Sequence, residues 1–501
     1  MNIAYLTTEA VPFAKTGGLA DVCGTLPSRV SALGHDAAII MPAFRSVHHG
    51  GLPVEPTDIS FAIPMSPRKL IGCRLLKSVI PGGSVPVWFI DQPQYFDRDY
   101  LYGTPAGDYS DNAERFAFFC RAAIQAISRI GGSPDVIHCN DWQTGLVPAL
   151  IQSDPAIGVP LKNAATVMTI HNLAYQGQFP AQAFEWTGLG WEHFRHTSFE
   201  FYSQLNFLKT GIVTADMVTT VSPRYSQEIR TLHHGCGLDG VLQSVTDRLV
   251  GITNGIDQTV WNPATDPRLS ANYDLASWRE GKWVNKQSLQ HQFGLEVSNE
   301  VPLIGLIGRL AAQKGWDLIL PVLRWHLEED RATQWIVLGS GEPRFEEELR
   351  ELAHRFPSRF ALHLGFSDEL AHRIEAGSDI FVMPSHYEPC GLNQLYSLRY
   401  GTVPIVTPTG GLADTVVDCT ETTLADGTAT GFYVKTSVPA ALDEAIGRAL
   451  NLRYHHPSKW TRIVETGMSQ DWSWARSAKE YESLYVRSIA LKTRAKQTQA
   501  D

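Results

Sequence analysis

The chain has 501 residues, which is more than one ordinary hydrophobic core holds, so its length predicts two or three domains. Hydrophobic residues make up 44% and charged residues 19% of the sequence, which is typical of a globular protein and excludes a disordered or fibrous one. The formal net charge of -10 argues against partners such as nucleic acid or an anionic membrane.

In chain order, the first half alternates short apolar runs with amphipathic stretches. Strands are predicted at residues 3–7, 37–41, 87–90, 136–138 and 165–170, and two further apolar segments, 213–221 and 249–252, close this half. A helix is predicted at 19–33, where apolar residues recur at helical spacing. Strands that alternate with helices favour a parallel sheet covered on both faces, so this half is predicted to be a doubly wound lobe.

The second half shows the same organisation more plainly. Strands are predicted at residues 302–308, 334–338, 360–364, 380–384 and 403–407, with helices between them and a further helical stretch at 440–454. A turn-like segment at 254–257 marks the boundary between the halves. We therefore predict a first domain at 1–257, a second at 258–470, and a C-terminal helix and polar tail at 471–501, with the helix able to pack back on the first lobe.

One short sequence motif occurs in two nearly identical copies, one towards each end of the chain. It reads TGGLADV at residues 16–22 and TGGLAD at 409–414, where Thr415 precedes Val416. Each copy is typical of a glycine-rich loop that opens a helix, because glycine lets backbone N–H groups approach a ligand and the helix N-terminus favours an anion. Two copies predict two nucleotide-fold lobes that face one anionic ligand.

Two cations and a carboxylate follow predicted strands of the second half. Arg309 and Lys314 suit a diphosphate leaving group, since arginine holds phosphate oxygens in a fork and lysine acts as a point charge; a solvated basic loop is the alternative. Glu388 could stabilise the positive charge that develops on a sugar ring, or it could be a surface residue or cap. Cys390 has no evident base partner and is not predicted to be a nucleophile.

Polar residues also follow two strands of the first half. His171 and Asn172 come directly after the strand at 165–170, and Asp141 and Trp142 follow the strand at 136–138. Ligands of doubly wound folds bind at the carboxyl ends of strands, so these residues are candidates for a sugar site. A structural histidine and a core tryptophan remain the alternatives.

Other patterns are weaker. Seven scattered cysteines without a CxxC pair favour a reducing compartment and argue against a zinc ribbon. Asp97-Arg98-Asp99 could hold a divalent metal but lacks strand context, so no metal site is predicted. No stretch approaches the ~18 apolar residues that span a bilayer, and the N-terminus does not read as a signal peptide. We expect a cytoplasmic location, or a plastid if the chain comes from a plant.

Taken together, these motifs make the chain resemble the bacterial glycogen synthase and plant starch synthase family. The matching motifs run in the family's order across almost the whole chain: KTGGLADV (15–22), NDW (140–142), HNLAYQG (171–177), TNGID (253–257), GRL (308–310), QKG (313–315), EPCGL (388–392) and TGGLADTV (409–416). The resemblance implies an α/β fold of the GT-B type, in which two doubly wound, Rossmann-like lobes face an interdomain cleft.

The resemblance also implies an activity and a set of site residues. Members of the family are retaining glucosyltransferases that move glucose from ADP-glucose, a substrate and not a cofactor, to the non-reducing end of an α-1,4-glucan. The residues implied as catalytic are Glu388, His171, Arg309, Lys314 and Asp141. Those implied in donor binding are Lys15, Gly17, Gly18, Asp21, Asn254, Phe366, Cys390, Gly391, Thr409, Gly410 and Gly411. Those implied in acceptor binding are Tyr102, Trp142 and Asn172.

Some features leave alternatives open. Many related retaining transferases carry a second glutamate eight positions after the first, where this chain has Tyr396, and Phe366 replaces a tyrosine of some members. Front-face departure of ADP is favoured over a covalent intermediate at Glu388. No metal is needed if Lys15, Arg309 and Lys314 neutralise the leaving group. A transferase that uses UDP-glucose and a binding protein without catalysis are the competing hypotheses.

Overall fold

The structure is a computed structural model that describes residues 1–66 and 68–500. These residues form two compact units. The first comprises Met1–Gly255 together with the C-terminal segment that starts at Trp474, and the second comprises Ile256–Ser473. Within the described residues, no helix is both long and apolar enough to cross a membrane.

The first unit contains most of the strands. They are β1 (Asn2–Leu6), β2 (Asp36–Pro42), β3 (Glu55–Ser66), β4 (Lys69–Val79), β5 (Pro86–Asp91), β6 (Gly103–Thr104), β7 (Gly107–Asp108), β8 (Val136–Asn140), β9 (Ala165–Ile170), β10 (Gln178–Pro180), β11 (Glu200–Phe201), β12 (Gln204–Asn206), β13 (Met217–Thr220) and β14 (Leu249–Gly251). Nine of them form one sheet in the order β14-β13-β9-β8-β1-β2-β5-β4-β3, and β10, β12 and β11 form a small second sheet.

Helices flank this sheet. They are α1 (Gly18–Ser31), α2 (Arg45–His49), α3 (Pro93–Phe96), α4 (Asn112–Arg129), α5 (Val147–Ser153), α6 (Pro155–Gly158), α7 (Phe207–Thr214), α8 (Pro223–Glu228) and α9 (Asp239–Ser244). Helix α1 buries Leu19, Val22, Leu26 and Val30, the apolar residues whose spacing predicts it. The predicted doubly wound lobe is therefore present.

The edge of the large sheet departs from the expected parallel pairing. Strands β3 and β4 form a hairpin that pairs antiparallel with β5. Along β4, buried and exposed residues largely alternate, so only one face of this strand meets the core. The fully apolar runs that identify the central strands are missing here, which is why no strands are predicted from the sequence for this hairpin.

The second unit is regular. Its strands are β15 (Leu303–Ile307), β16 (Gln334–Gly339), β17 (Phe360–Leu364), β18 (Ile380–Met383), β19 (Val403–Val406) and β20 (Phe432–Tyr433), and they pair in parallel in the order β17-β16-β15-β18-β19-β20. Its helices are α10 (Trp278–Phe293), α11 (Trp316–Glu328), α12 (Pro343–Arg355), α13 (Asp368–Gly377), α14 (Asn393–Tyr400), α15 (Gly410–Thr415), α16 (Glu421–Asp426), α17 (Pro439–His455) and α18 (Pro457–Met468).

The last helix, α19 (Trp474–Ala500), belongs to the first unit and extends through the stretch that is predicted as a polar tail. Tyr481 and Tyr485 of α19 are fully buried in the core of that unit. The Tyr485 hydroxyl is hydrogen-bonded to Tyr5 of β1 and to Nδ1 of His138 of β8, both at 2.9 Å. The C-terminal helix is therefore an integral part of the first core.

We expect Tyr485→Ala to lower the stability of the first unit by about 3–5 kcal/mol, as truncation of a buried large aromatic does. Val486, the next residue of the same helix, is 56% exposed, so Val486→Ala is the matched control. Thermal unfolding of the two variants checks this prediction. Equal unfolding temperatures would show that α19 adds little to the core.

Candidate active site

In the second unit, Lys314 and Glu388 form an ion pair at the carboxyl ends of two neighbouring strands. Lys314 follows β15 and Glu388 follows β18, and these strands are paired. The Lys314 Nζ atom lies 2.5 Å from Oε2 of Glu388, and the Ser385 hydroxyl donates to the same oxygen at 3.1 Å. Glu388 is only 6% exposed. A buried carboxylate thus has one cation and one hydroxyl as partners.

Gln313 connects the loops that carry this pair, and the sequence analysis assigned it no role of its own. Its Oε1 accepts from Nη2 of Arg309 at 2.9 Å, and its Nε2 donates to the Tyr387 carbonyl at 3.2 Å. Its backbone carbonyl accepts from the His386 N–H at 2.9 Å. Gln313 therefore fixes exposed Arg309 relative to the Glu388 loop. The QKG motif at 313–315 contains Gln313, but only its lysine was predicted to have a role.

The second glycine pair supports the Glu388 loop by close packing. A Cβ atom on Gly410 would overlap the backbone carbonyl of Glu388, and one on Gly411 would overlap that of Cys390. The Gly411 N–H donates to the carbonyls of Glu388 and Pro389, both at 3.1 Å. The Gly411 N–H is therefore already hydrogen-bonded within the protein.

Four other residues predicted to bind the sugar-nucleotide donor lie in the second unit. Cys390 is buried, and Gly391 adopts a left-handed conformation with φ of 70°. Thr409 caps α15. Phe366 follows β17 and is 84% exposed, which is unusual for a phenyl ring and leaves its faces open to a flat ligand.

In the first unit, the first glycine pair meets a carboxylate that the sequence analysis missed. Glu9 is 3% exposed and accepts hydrogen bonds from the Thr16 N–H at 2.5 Å, the Thr16 hydroxyl at 2.6 Å and the Gly17 N–H at 3.2 Å. Tyr102 donates to the same carboxylate at 2.8 Å. Part of the expected anion-binding loop is thus occupied by an internal anion. No motif marks Glu9, because this contact depends on the fold of the loop.

The space around this first loop differs from that around the second. A Cβ atom on Gly17 or Gly18 would meet no atom of the described residues within 4 Å. Lys15 pairs with Asp21 of α1, with 2.7 Å between Nζ and Oδ1. The open side of the loop therefore presents a cation, a carboxylate and two glycines to solvent.

Strands β8 and β9 bring Asp141 and His171 together. The strands pair in parallel, with Asn140 opposite Thr169, so the residues that follow them are neighbours. The His171 N–H donates to Oδ1 of Asp141 at 2.7 Å. Asp141 has a positive φ of 56°, and burial raises its pKa to about 7, whereas burial lowers the pKa of His171 to about 3. Asn172 lies next to them and caps the following turn by accepting from the Ala174 N–H at 3.0 Å.

The structure places Trp142 in the core. Its indole packs edge-on against Phe116, with 4.9 Å between ring centroids, and against Phe207 and Phe179. Gly177 is in close contact, because a Cβ atom there would overlap the indole. The prediction of an acceptor-binding platform at Trp142 is therefore corrected to the alternative of a core residue, whose ring faces are covered by protein.

Two further predictions concern polar groups. Asn254 is 6% exposed, and its Oδ1 has no hydrogen-bond partner among the described residues, which leaves an acceptor for a ligand. Asp97 and Asp99 both pair with Arg45. Across residues 1–66 and 68–500 there is no group of three or more His, Cys, Asp or Glu that could hold a metal ion.

The raised pKa of Asp141 gives a test by pH. Between the ordinary pKa of about 4 and the folded value of about 7, the folded state holds more protons than the unfolded state, so ionisation of Asp141 costs stability as the pH rises. Asp141→Asn keeps the acceptor for the His171 N–H but cannot titrate. We expect the unfolding temperature of this variant to rise relative to wild type from pH 4.5 to pH 8.

Thermal unfolding across that range is the measurement, with Asp108→Asn, a change at an exposed carboxyl of the same unit, as the control. A difference between Asp141→Asn and wild type that does not depend on pH would show that Asp141 ionises normally.

The fold and the site together define a class. Two doubly wound units, one of which holds basic side chains and a buried carboxylate at its strand ends, make this protein a glycosyltransferase with the GT-B fold. Residues 2–244 match the family described as starch synthase catalytic domain, and residues 289–466 match glycosyl transferases group 1.

Relatives define the family more narrowly. The chain is 61% identical to the glycogen synthase of Rhodopirellula baltica over 99% of both chains, and 46% identical to that of Syntrophotalea carbinolica over 98% of this chain and 99% of that one. The solved catalytic domain of starch synthase IV from Arabidopsis thaliana, bound to ADP and acarbose, is 35% identical with a TM-score of 0.88, over 98% of this chain and 99% of that one. The chain belongs to the glycogen synthase and starch synthase family.

Proposed function

We propose that this protein is a glycogen or starch synthase that transfers glucose from ADP-glucose to the non-reducing end of an α-1,4-glucan and retains the anomeric configuration. The observation that carries the proposal is the ion pair of Lys314 and Glu388 at the strand ends of the second unit. A cation beside a buried carboxylate matches the two charges that develop when a glycosidic bond to a diphosphate breaks. The full-length identity to glycogen synthases and the ADP bound by the Arabidopsis relative support this donor.

The chemistry follows from these charges. The bond between C1 of glucose and the phosphate oxygen breaks, and a bond forms between C1 and O4 of the acceptor on the same face of the ring. The O4 proton passes to the departing phosphate oxygen. Lys314 and Arg309 neutralise the diphosphate, and Glu388 balances the positive charge of the sugar ring. In this proposal Lys314 exchanges its carboxylate partner for phosphate when the donor binds.

The proposal uses further residues of each unit. In the second unit, Phe366 stacks on the nucleobase, and the loops at Cys390, Gly391 and Thr409 surround the donor. In the first unit, Lys15, Gly17 and Gly18 of the glycine-rich loop bind donor phosphate. Asp21 and Asn254 make polar contacts in the donor site, and His171 contacts the donor sugar. Tyr102 and Asn172 serve the acceptor glucan. The reaction as proposed uses no cofactor and takes place in the cytoplasm or a plastid. Neither nucleic acid nor a membrane is a partner in it.

The donor is tested by transfer of radiolabelled glucose to glycogen from ADP-glucose and from UDP-glucose. We expect a much higher kcat/KM with ADP-glucose. Equal or greater transfer from UDP-glucose would assign the protein to a related transferase of the same fold. Binding of both nucleotides without transfer would identify a protein that has kept the fold and lost catalysis.

Phe366 gives a prediction for nucleotide recognition. Phe366→Ala should raise the KM for ADP-glucose by roughly tenfold with little change in kcat, because stacking of an aromatic ring on a base contributes about 1–3 kcal/mol. Since the ring is exposed, the fold should be unaffected. Leu232→Ala, at a leucine that is 86% exposed in the first unit, is the control for loss of a surface apolar group. Steady-state kinetics measure this change. An unchanged KM for ADP-glucose would show that Phe366 does not contact the donor.

A further inference from the structure

A buried amide lies behind His171 at the carboxyl ends of β8 and β9. Asn140, the last residue of β8, is 1% exposed. Its Nδ2 donates to the backbone carbonyls of Leu6 at 3.1 Å and His138 at 3.3 Å. Its Oδ1 lies 3.0 Å from Nε2 of His171. The side chain of Asn140 thus links two central strands of the sheet to the imidazole of His171.

These contacts determine which imidazole nitrogen carries the proton. Both backbone carbonyls can only accept hydrogen bonds, so the NH₂ side of the Asn140 amide has to face them and its oxygen faces His171. Because an amide oxygen also only accepts, Nε2 of His171 must donate. Burial lowers the pKa of His171 to about 3, so the ring is neutral and its Nδ1 is unprotonated.

We propose that Asn140 is a positioning residue that holds His171 as the neutral Nε2–H tautomer, so that Nδ1 accepts a hydrogen bond from a hydroxyl of a glucosyl unit. The identity of that sugar rests on the proposed function, whereas the tautomer does not. A protonated or tautomerised ring would present a donor at Nδ1 and reverse the direction of this hydrogen bond.

The titratable groups that bear on His171 are His138, Asp141 and, through Asp141, Glu9. His138 is a second buried imidazole nearby, hydrogen-bonded through Nε2 to Thr169 at 2.5 Å, and burial lowers its pKa to about 3. Asp141 faces the backbone N–H of His171, and Glu9 acts on Asp141 by charge repulsion. None of these titratable groups bonds to the His171 ring. The hydrogen bond from Nε2 to Asn140 is therefore the contact that selects the tautomer.

The direct test is ¹⁵N NMR of protein labelled at its 17 histidines, with His171 assigned by difference from His171→Gln. We expect the wild-type His171 signals to show protonated Nε2 and unprotonated Nδ1 from pH 6 to pH 8, without titration. A protonated Nδ1 in that range would overturn the proposal. This measurement needs no turnover, so it distinguishes failure of this inference from failure of the proposed function.

Asn140→Asp supplies a functional readout. A carboxylate against Nε2 stabilises the imidazolium, so His171 should titrate within the neutral range. The rate should then fall by about tenfold for each pH unit below the new pKa of His171, in addition to any step from Asp141, which the variant and wild type share. Asn163→Asp, at an exposed asparagine of the same unit, is the matched control.

A folded Asn140→Asp protein with the wild-type pH profile and wild-type His171 signals would overturn the positioning role. A purely structural role predicts a lower unfolding temperature without a new titration in either readout. If Asn140→Asp does not fold, the NMR spectrum of the wild type decides alone.

Discussion

Replacement of Lys314 by alanine should reduce the rate of glucosyl transfer by roughly 100- to 1000-fold, the loss seen when one preorganised group that stabilises a developing negative charge is removed. The structure gives the reason. The Lys314 ammonium lies in the loop that follows β15, 2.5 Å from Glu388, and in the proposed reaction it exchanges this carboxylate for the diphosphate of the donor. Kinetics with ADP-glucose and glycogen measure the loss.

Arg324→Ala is the matched control, because it breaks an ion pair with Glu348 of similar geometry, 2.8 Å, on the exposed surface of the same unit. We expect it to leave the rate unchanged, since exposed ion pairs contribute little. Glu388→Gln is a second variant that keeps a partner for Ser385 and Lys314 and should also lose activity. Normal rates in both Lys314→Ala and Glu388→Gln would contradict the site assignment.

A second large effect is expected at Gly411. Its Cβ atom in Gly411→Ala would overlap the carbonyl of Cys390, so the backbone that carries Glu388 has to move. A shift of about 1 Å in a catalytic group can cost roughly 100-fold in rate, and we expect at least that loss together with a lower unfolding temperature.

The twin motif supplies the control for this prediction. Gly18 occupies the corresponding place in the first copy, where an added Cβ meets no described atom within 4 Å. Gly18→Ala should therefore keep the wild-type unfolding temperature, and any loss of activity would report on substrate contact. Equal losses of stability in the two variants, measured by thermal unfolding, would contradict the difference in packing between the two loops.

Buried apolar runs made much of the fold predictable. The central strands of both units and the helix behind the first TGG follow directly from periodicity, because these elements bury whole runs or one regular stripe. The β3–β4 hairpin could not be predicted from periodicity, because its strands expose one face and lie at a sheet edge. The helix α19 was predicted as a helix, while its place in the first core depends on contacts of Tyr485 that are remote in sequence.

The position of a candidate site residue was predictable where that residue follows a strand. In the second unit, Arg309, Lys314 and Glu388 come after recognisable strands, and the parallel pairing of β15 with β18 brings their loops together. In the first unit, the pairing of β8 with β9 does the same for Asp141 and His171. Glu9 and Trp142 show the limit of this reasoning. Glu9 reaches the Thr16 loop only through the folded path of the chain, and Trp142 follows β8 as a sugar platform would, yet it turns into an aromatic core.

The repeated TGGLAD phrase illustrates the same limit. Similar residues open α1 and α15, as the sequence predicts, but their glycines meet different constraints. Gly411 is required by the backbone of the Glu388 loop, whereas Gly17 and Gly18 border open space beside Lys15. Sequence similarity between the two copies therefore indicates a similar local structure, but it does not indicate that the glycines have the same role.

The product of a single glucosyl transfer is the most direct test of whether this protein is a retaining glucan synthase. Wild-type protein is incubated with ADP-glucose labelled with ¹³C at C1 and with a short α-1,4-glucan, and the product is analysed by NMR. We predict that the label appears in an α-1,4 linkage at the non-reducing end, with one ADP released for each glucose transferred. Label in a β linkage, in free glucose alone, or only in unreacted ADP-glucose would contradict the assignment of this chain as a retaining glucan synthase.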